Sequence, residues 1–164
     1  MGLDLAIQEN GNGGDLVLGT SDLLTILSIE NQCYLAWFGG NKKQATVVGR
    51  NTAQSCDYWA NDLLMRGFPS QQFNSLTEAK LDTVTVTSEG RVELETAMKK
   101  DIEFLAEDFG AQFTVNVSIE SDDRFKAKVI IVVPGEDEKI IIVGFRKSAT
   151  GDFWIVDFND DFFV

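Results

Sequence analysis

Histidine is missing altogether from the 164-residue sequence. That absence removes the Ser-His-Asp triad, the Cys-His pair and the imidazole ligands of most zinc, copper and non-haem iron sites. Cysteine is nearly as scarce. Cys33 lies in an apolar stretch and Cys56 in a polar one; their spacing suggests no disulfide framework, and both are read as free thiols. Positive charge is thin as well, with 14 Lys and Arg against 26 Asp and Glu, a formal net charge of −12. A surface of that sign is poorly suited to replacing the counterions of nucleic acid or anionic lipid, so neither is an expected partner and basic protein surfaces are favoured instead. No run approaches the roughly 20 apolar residues that span a bilayer. The opening MGLDLAIQENGNGG has neither the basic region nor the apolar core of a signal peptide, which predicts a protein that is not exported by a cleaved signal.

What is present suits a single domain over residues 1–164, since 44% of the residues are hydrophobic and that length buries a sizeable core. The acidity is uneven: nine Asp/Glu stand against five Lys/Arg in residues 1–82, and seventeen against nine in residues 83–164.

Leu3, Leu5 and Ile7 alternate with polar or small residues, Asn10-Gly11-Asn12-Gly13-Gly14 supplies turn chemistry, and Leu16 and Leu18 resume the alternation. This predicts an N-terminal hairpin. Thr20, Ser21 or Asp22 is placed to cap a helix over 22–38, with Leu23, Leu27, Glu30, Tyr34 and Phe38 near one stripe and Gly39-Gly40 as its stop. Leu24, Ile26, Leu35 and Trp37 widen the stripe, so the helix is expected to be well buried. Residues 41–75 read as a long loop with scattered aromatics, 76–79 as a helical turn, and Val84-Thr85-Val86-Thr87 as β-branched chain whose period does not decide its state.

A second main helix is predicted over 89–109, with Leu94, Met98, Ile102, Leu105 and Phe109 on one face and Gly110 as its stop. Phe113, Val115, Val117 and Ile119 then alternate with Thr114, Asn116, Ser118 and Glu120, a strand with one buried and one wet face. Residues 125–133 form a strand that becomes apolar on both faces at Val129-Ile130-Ile131-Val132-Val133, which places it centrally or covers it on each side. Pro134-Gly135-Glu136-Asp137 is a turn, and strands follow over 139–146 and 153–158. The expected fold is α+β, an antiparallel β-meander packed against two main helices.

Carboxylates are abundant, and a two-acid glycosidase is one enzyme design that needs no histidine. Glu103, Glu107, Asp122, Asp123, Glu136 and Asp137 nevertheless sit where solvated faces and turns would place them, and no pair is singled out. The Gly/Asn-rich turn at 10–15 and the acids Asp157, Asp160 and Asp161 lack the ligand spacing of calcium loops. No catalytic, cofactor or metal residue is therefore assigned. Trp59, in Asp57-Tyr58-Trp59-Ala60-Asn61-Asp62, fits either a staple for the core or an anchor for a partner. The end, Asp157-Phe158-Asn159-Asp160-Asp161-Phe162-Phe163-Val164, joins acidic charge to aromatics and is read as a docking tail.

The apolar segment Tyr34-Leu35-Ala36-Trp37-Phe38, the loop Trp59-Ala60-Asn61-Asp62, the segment Phe104-Leu105-Ala106-Glu107-Asp108-Phe109-Gly110-Ala111 and the paired strands through Pro134-Gly135 occur in a recognisable order. Over about residues 3–135 the chain resembles the Mu-type baseplate wedge proteins of contractile phage tails, related to the tail sheath initiator. The resemblance implies a non-catalytic virion subunit, assembled in the host cytoplasm and present in six copies around the tail. Its implied partners are the other wedge proteins, the first ring of tail sheath, and the tail tube or hub. Members are sometimes described as lysozyme-like, but no acid pair here matches a catalytic motif. The chain departs from the pattern in Trp-Ala-Asn-Asp where paired tryptophans precede Gly-Asp, and in residues 136–164, read as a C-terminal strand and tail extension.

A meander with a free edge accepts an extended arm from another chain through backbone hydrogen bonds. The edge is expected at 139–146 or 153–158, and the partner-binding residues at Trp59, Asn61, Asp62, Ile140, Ile142, Trp154, Phe162 and Phe163. Two other readings stand beside this one: a carboxylate-based hydrolase, and an acidic immunity or inhibitor protein that captures a basic toxin.

Overall fold

The computed structural model describes residues 3–5, 7–9, 14–16, 25–39, 67, 74–149, 151 and 153–160. Its elements follow in the order β1 (Leu3–Leu5), β2 (Ile7–Glu9), β3 (Gly14–Leu16), β4 (Thr25–Leu27), α1 (Ser28–Phe38), α2 (Leu76–Leu81), α3 (Ser88–Asp101), α4 (Phe104–Phe109), β5 (Gln112–Ser121), β6 (Arg124–Val132), β7 (Lys139–Lys147) and β8 (Phe153–Asp160). β5 to β8 form a four-stranded antiparallel meander in sequence order. β2 pairs with β3 as the N-terminal hairpin, and β1 pairs with β4. The α+β architecture is thus the one the sequence pattern predicts.

The strand alternation sets the core. Val115 and Val117 of β5, Phe125, Ala127, Val129 and Ile131 of β6, Ile141, Val143 and Phe145 of β7, and Phe153 of β8 are all buried. With Ile29, Cys33, Trp37 and Phe38 of α1, Leu94 and Met98 of α3, and Leu105 of α4 they make one hydrophobic cluster. Each Val, Leu, Ile, Phe or Met among them contributes about 1.5–3 kcal/mol by leaving water. Phe38 of α1 lies 6.1 Å from Phe145 and ties helix to sheet, and within the sheet Phe125 stacks on Phe153 at 5.7 Å. The Trp37 indole N–H, which needs a partner when buried, donates to the Met98 carbonyl at 3.1 Å and so ties α1 to α3.

Two local expectations change and one open reading is decided. The helix predicted over 22–38 begins at Ser28, because residues 25–27 pair with residues 3–5; their apolar run suits a strand as well as a helix, and only the long-range partner decides. The helix predicted over 89–109 is broken at Ile102-Glu103 into α3 and α4. Leu94, Met98, Ile102 and Leu105 stay buried across the break, so their period does not reveal it. The β-branched run 84–87 joins no sheet; its last residue, Thr87, caps α3 by accepting the Gly90 N–H at 3.1 Å. Gly110, at φ 64, ends α4 in the left-handed region that glycine tolerates without strain.

Candidate interaction surfaces

The two faces of the sheet differ in burial. Opposite the core, cross-strand pairing places Ile130 beside Ile140 and Lys128 beside Ile142. Ile130, Ile140 and Ile142 are half-buried, Lys128 is exposed, and Val132 on the same face keeps 40% of its surface in water. The run that is apolar on both faces therefore serves the core with Val129 and Ile131 and leaves an aliphatic patch on the outer side. Two of the sequence-predicted partner residues, Ile140 and Ile142, meet there. Trp154 lies on β8 with its backbone opposite Arg146. Trp59, Asn61, Asp62, Phe162 and Phe163 lie outside the described residues.

The edge expectation resolves in one direction. β7 is an interior strand, hydrogen-bonded to β6 and β8 on its two sides, so 139–146 is not an edge. The edges of this sheet are β5 and β8. Residues from 139 onward also supply buried core, Phe145 and Phe153 included.

The β5 edge is blocked at its middle rung. α3 lies against it, and at Val117 the backbone N–H donates to Glu95 Oε2 at 3.1 Å while the carbonyl accepts from Arg91 Nη1 at 3.2 Å. The two side chains imitate one rung of a neighbouring strand. Lys99 and Arg91 flank Glu95 at 2.7 and 3.4 Å. Burial pushes the Glu95 carboxyl up, but the hydrogen bonds from Lys99 and Val117 outweigh it and hold the group below its ordinary range. The sequence shows only an i, i+4 Arg-Glu-Lys ladder, which reads as a solvated helix face. At β8 no further strand joins the ladder among the described residues; β2 runs close by without pairing.

A third feature was not visible in the sequence. The Asp101 carboxylate accepts the N–H groups of Leu76 and Thr77 at 2.9 and 2.8 Å, while the Ser75 hydroxyl accepts that of Glu78 at 2.9 Å and donates to the Trp37 carbonyl. Three donors at the start of α2, orphans in an isolated helix, are thereby satisfied. Burial nonetheless pushes Asp101 up to about 6 against the pull of those hydrogen bonds. Asp101 also faces a cavity of about 340 Å³ lined by Gln32, Leu35, Ala36, Asn74 and Phe104.

Two further polar groups belong to the frame of the core. Glu30, placed by its spacing within the apolar stripe of α1, is buried and meets Lys139 Nζ at 3.4 Å. Cys33 is a buried free thiol whose ionisation is strongly disfavoured, by burial first and by the nearby Glu30 carboxylate second, so it is no nucleophile. Cys56 lies outside the described residues. Glu103, Glu107, Asp122 and Asp137 are exposed, and Asp123 and Glu136 partly so. Among the described residues no group of three or more Cys, Asp or Glu is gathered to hold a metal ion, and no helix is long and apolar enough to cross a membrane. Comparison of the chain with protein-family models, with characterised proteins and with solved structures found no match.

Proposed function

We propose that this chain is a non-catalytic structural subunit of a contractile-tail baseplate that joins the wedge to the first sheath ring by accepting an extended strand. The observation that supports this reading most is the asymmetry of the meander: β5 has its central rung occupied by Arg91 and Glu95, whereas β8 ends the ladder among the described residues. An incoming arm gains backbone hydrogen bonds along such an edge. The aliphatic patch of Ile130, Ile140 and Ile142, on β6 and β7, gives the outer face of the sheet a surface for a second, apolar contact. The acidic balance suits basic partner surfaces.

The test is hydrogen exchange on the full chain, alone and assembled with the wedge and sheath proteins of the same tail. Assembly is expected to slow exchange at 153–160 and to leave 112–121 unchanged. Equal protection at both edges, or none at β8, overturns the reading. Because Phe145 and Phe153 are core residues, point changes serve this purpose better than truncation: Ile142→Lys is expected to weaken sheath or wedge attachment without unfolding the domain.

A further inference from the structure

We propose that the outer face of the meander receives an acidic segment of a protein partner, one in which carboxylates are followed by branched aliphatic residues. β6 and β7 together hold six of the 14 Lys and Arg residues and no Asp or Glu, in a chain whose net charge is −12. Phe125, Ala127 and Val129 point into the core, so strand alternation sets Arg124, Lys126 and Lys128 on the outer face, spaced roughly 7 Å apart. Register puts Arg146 of β7 directly opposite Arg124. Like charges so placed destabilise a sheet, and the protein meets only part of the excess. Asp123 pairs with Arg146 at 2.9 Å and Glu120 with Lys126 at 3.4 Å, while Arg124 and Lys128 have no ion pair among the described residues. β8 contributes one acidic register position, Asp157 opposite Gly144.

The face changes character along its length. Past Lys128 the same side of β6 carries Ile130 and Val132, with Ile140 and Ile142 of β7 as neighbours. The basic part, Arg124 to Lys128, is about 13 Å long. Acidic turns bound the strands at both ends, Asp122-Asp123 before β6 and Glu136-Asp137-Glu138 after it. A nucleic-acid strand or an anionic bilayer extends past those limits and meets their repulsion within a Debye length of about 8 Å at physiological ionic strength. A short acidic segment stays inside them. Its carboxylates suit the forked donors of Arg124 and Arg146, and its aliphatic side chains cover the isoleucines. The charge of this face is therefore opposite to that of the chain as a whole, and so is the partner chemistry it selects.

The full-length protein is titrated into a rhodamine-labelled peptide of sequence EDEDIVI and binding is followed by fluorescence anisotropy. Saturable binding that weakens as salt rises is expected, with affinity lower by about tenfold or more for the uncharged peptide QNQNIVI and for EDEDSGS, which lacks the aliphatic half. Lys128→Glu, at an exposed position, is expected to keep the circular dichroism of the wild type and to weaken binding about tenfold. Lys100→Glu makes the same change of net charge on α3 and is expected to leave binding unchanged. No saturable binding, equal binding of either control peptide, unchanged binding by Lys128→Glu, or equal loss in the two variants overturns the proposal. Tighter binding of an oligothymidylate or of phosphatidylserine vesicles, lost in Lys128→Glu, overturns the assignment to a protein partner. The peptide is read without any tail protein, so its failure leaves strand addition at β8 standing, and failure of strand addition leaves this face standing.

Discussion

The two edges of the sheet solve the same problem by different means. At β5, backbone groups that would template another strand are engaged by Arg91 and Glu95, projected from α3 onto Val117. At β8 no helix side chain does this among the described residues, and the neighbouring β2 stays outside the ladder. The difference teaches that edge protection here depends on the placement of one helix, and that losing α3 would turn a one-sided sheet into one open on both sides.

The most damaging way to break the contrast is Gly90→Ala. An added Cβ would stand 2.0 Å from the Thr85 carbonyl oxygen and 2.7 Å from Val84 Cγ2, so the start of α3 must move and carry Arg91 and Glu95 with it. A loss of about 3 kcal/mol or more is expected in urea unfolding, and a change within about 0.5 kcal/mol would refute the account of how α3 is seated.

Next in size is the opposed pH response of two carboxylates on that helix. Asp101, raised to about 6, binds a proton more readily folded than unfolded. Its contribution therefore falls as pH rises from about 4 to 6, by about 2–3 kcal/mol, and Asp101→Asn should flatten that fall. Glu95 is lowered, so its contribution is present above the ordinary carboxylate range and is lost as pH drops through the depressed folded value. Stability curves of wild type and Asp101→Asn between pH 4 and 7 check the first sign, and curves of wild type and Glu95→Gln carried below the ordinary carboxylate range check the second.

Glu95→Ala removes the acceptor for the Val117 N–H and opens β5. A cost of about 1–2 kcal/mol is expected, together with self-association on size-exclusion chromatography that Glu95→Gln does not cause. The smallest effect is on the outer face, where Ile142→Lys should change stability by less than about 1 kcal/mol, because the side chain is only half-buried. Its effect is expected in partner attachment instead.

Much of this frame is legible in the sequence because it is local. The alternation from Phe113 to Glu120 gives β5 its inner and outer faces, and the run at 129–133 marks β6 as a strand serving two surfaces. Leu94 and Met98 likewise mark the buried side of α3. The rest depends on distant partners. Residues 25–27 become a strand only through residues 3–5, and the interior place of β7 is a matter of strand order, which a string of isoleucines does not encode. Asp101 reads as one acid among 26 until α2 turns its first N–H groups toward it. Gln32, Asn74 and Asp101 are also remote from one another in the chain, so their shared cavity has no motif.

The Ser75 hydroxyl, bonded at once to the Trp37 carbonyl and the Glu78 N–H, acts as a clasp across 38 positions. One side chain thereby seats the last turn of α1 and the first turn of α2 together, so neither helix can slide along its axis without giving up a terminal hydrogen bond of the other.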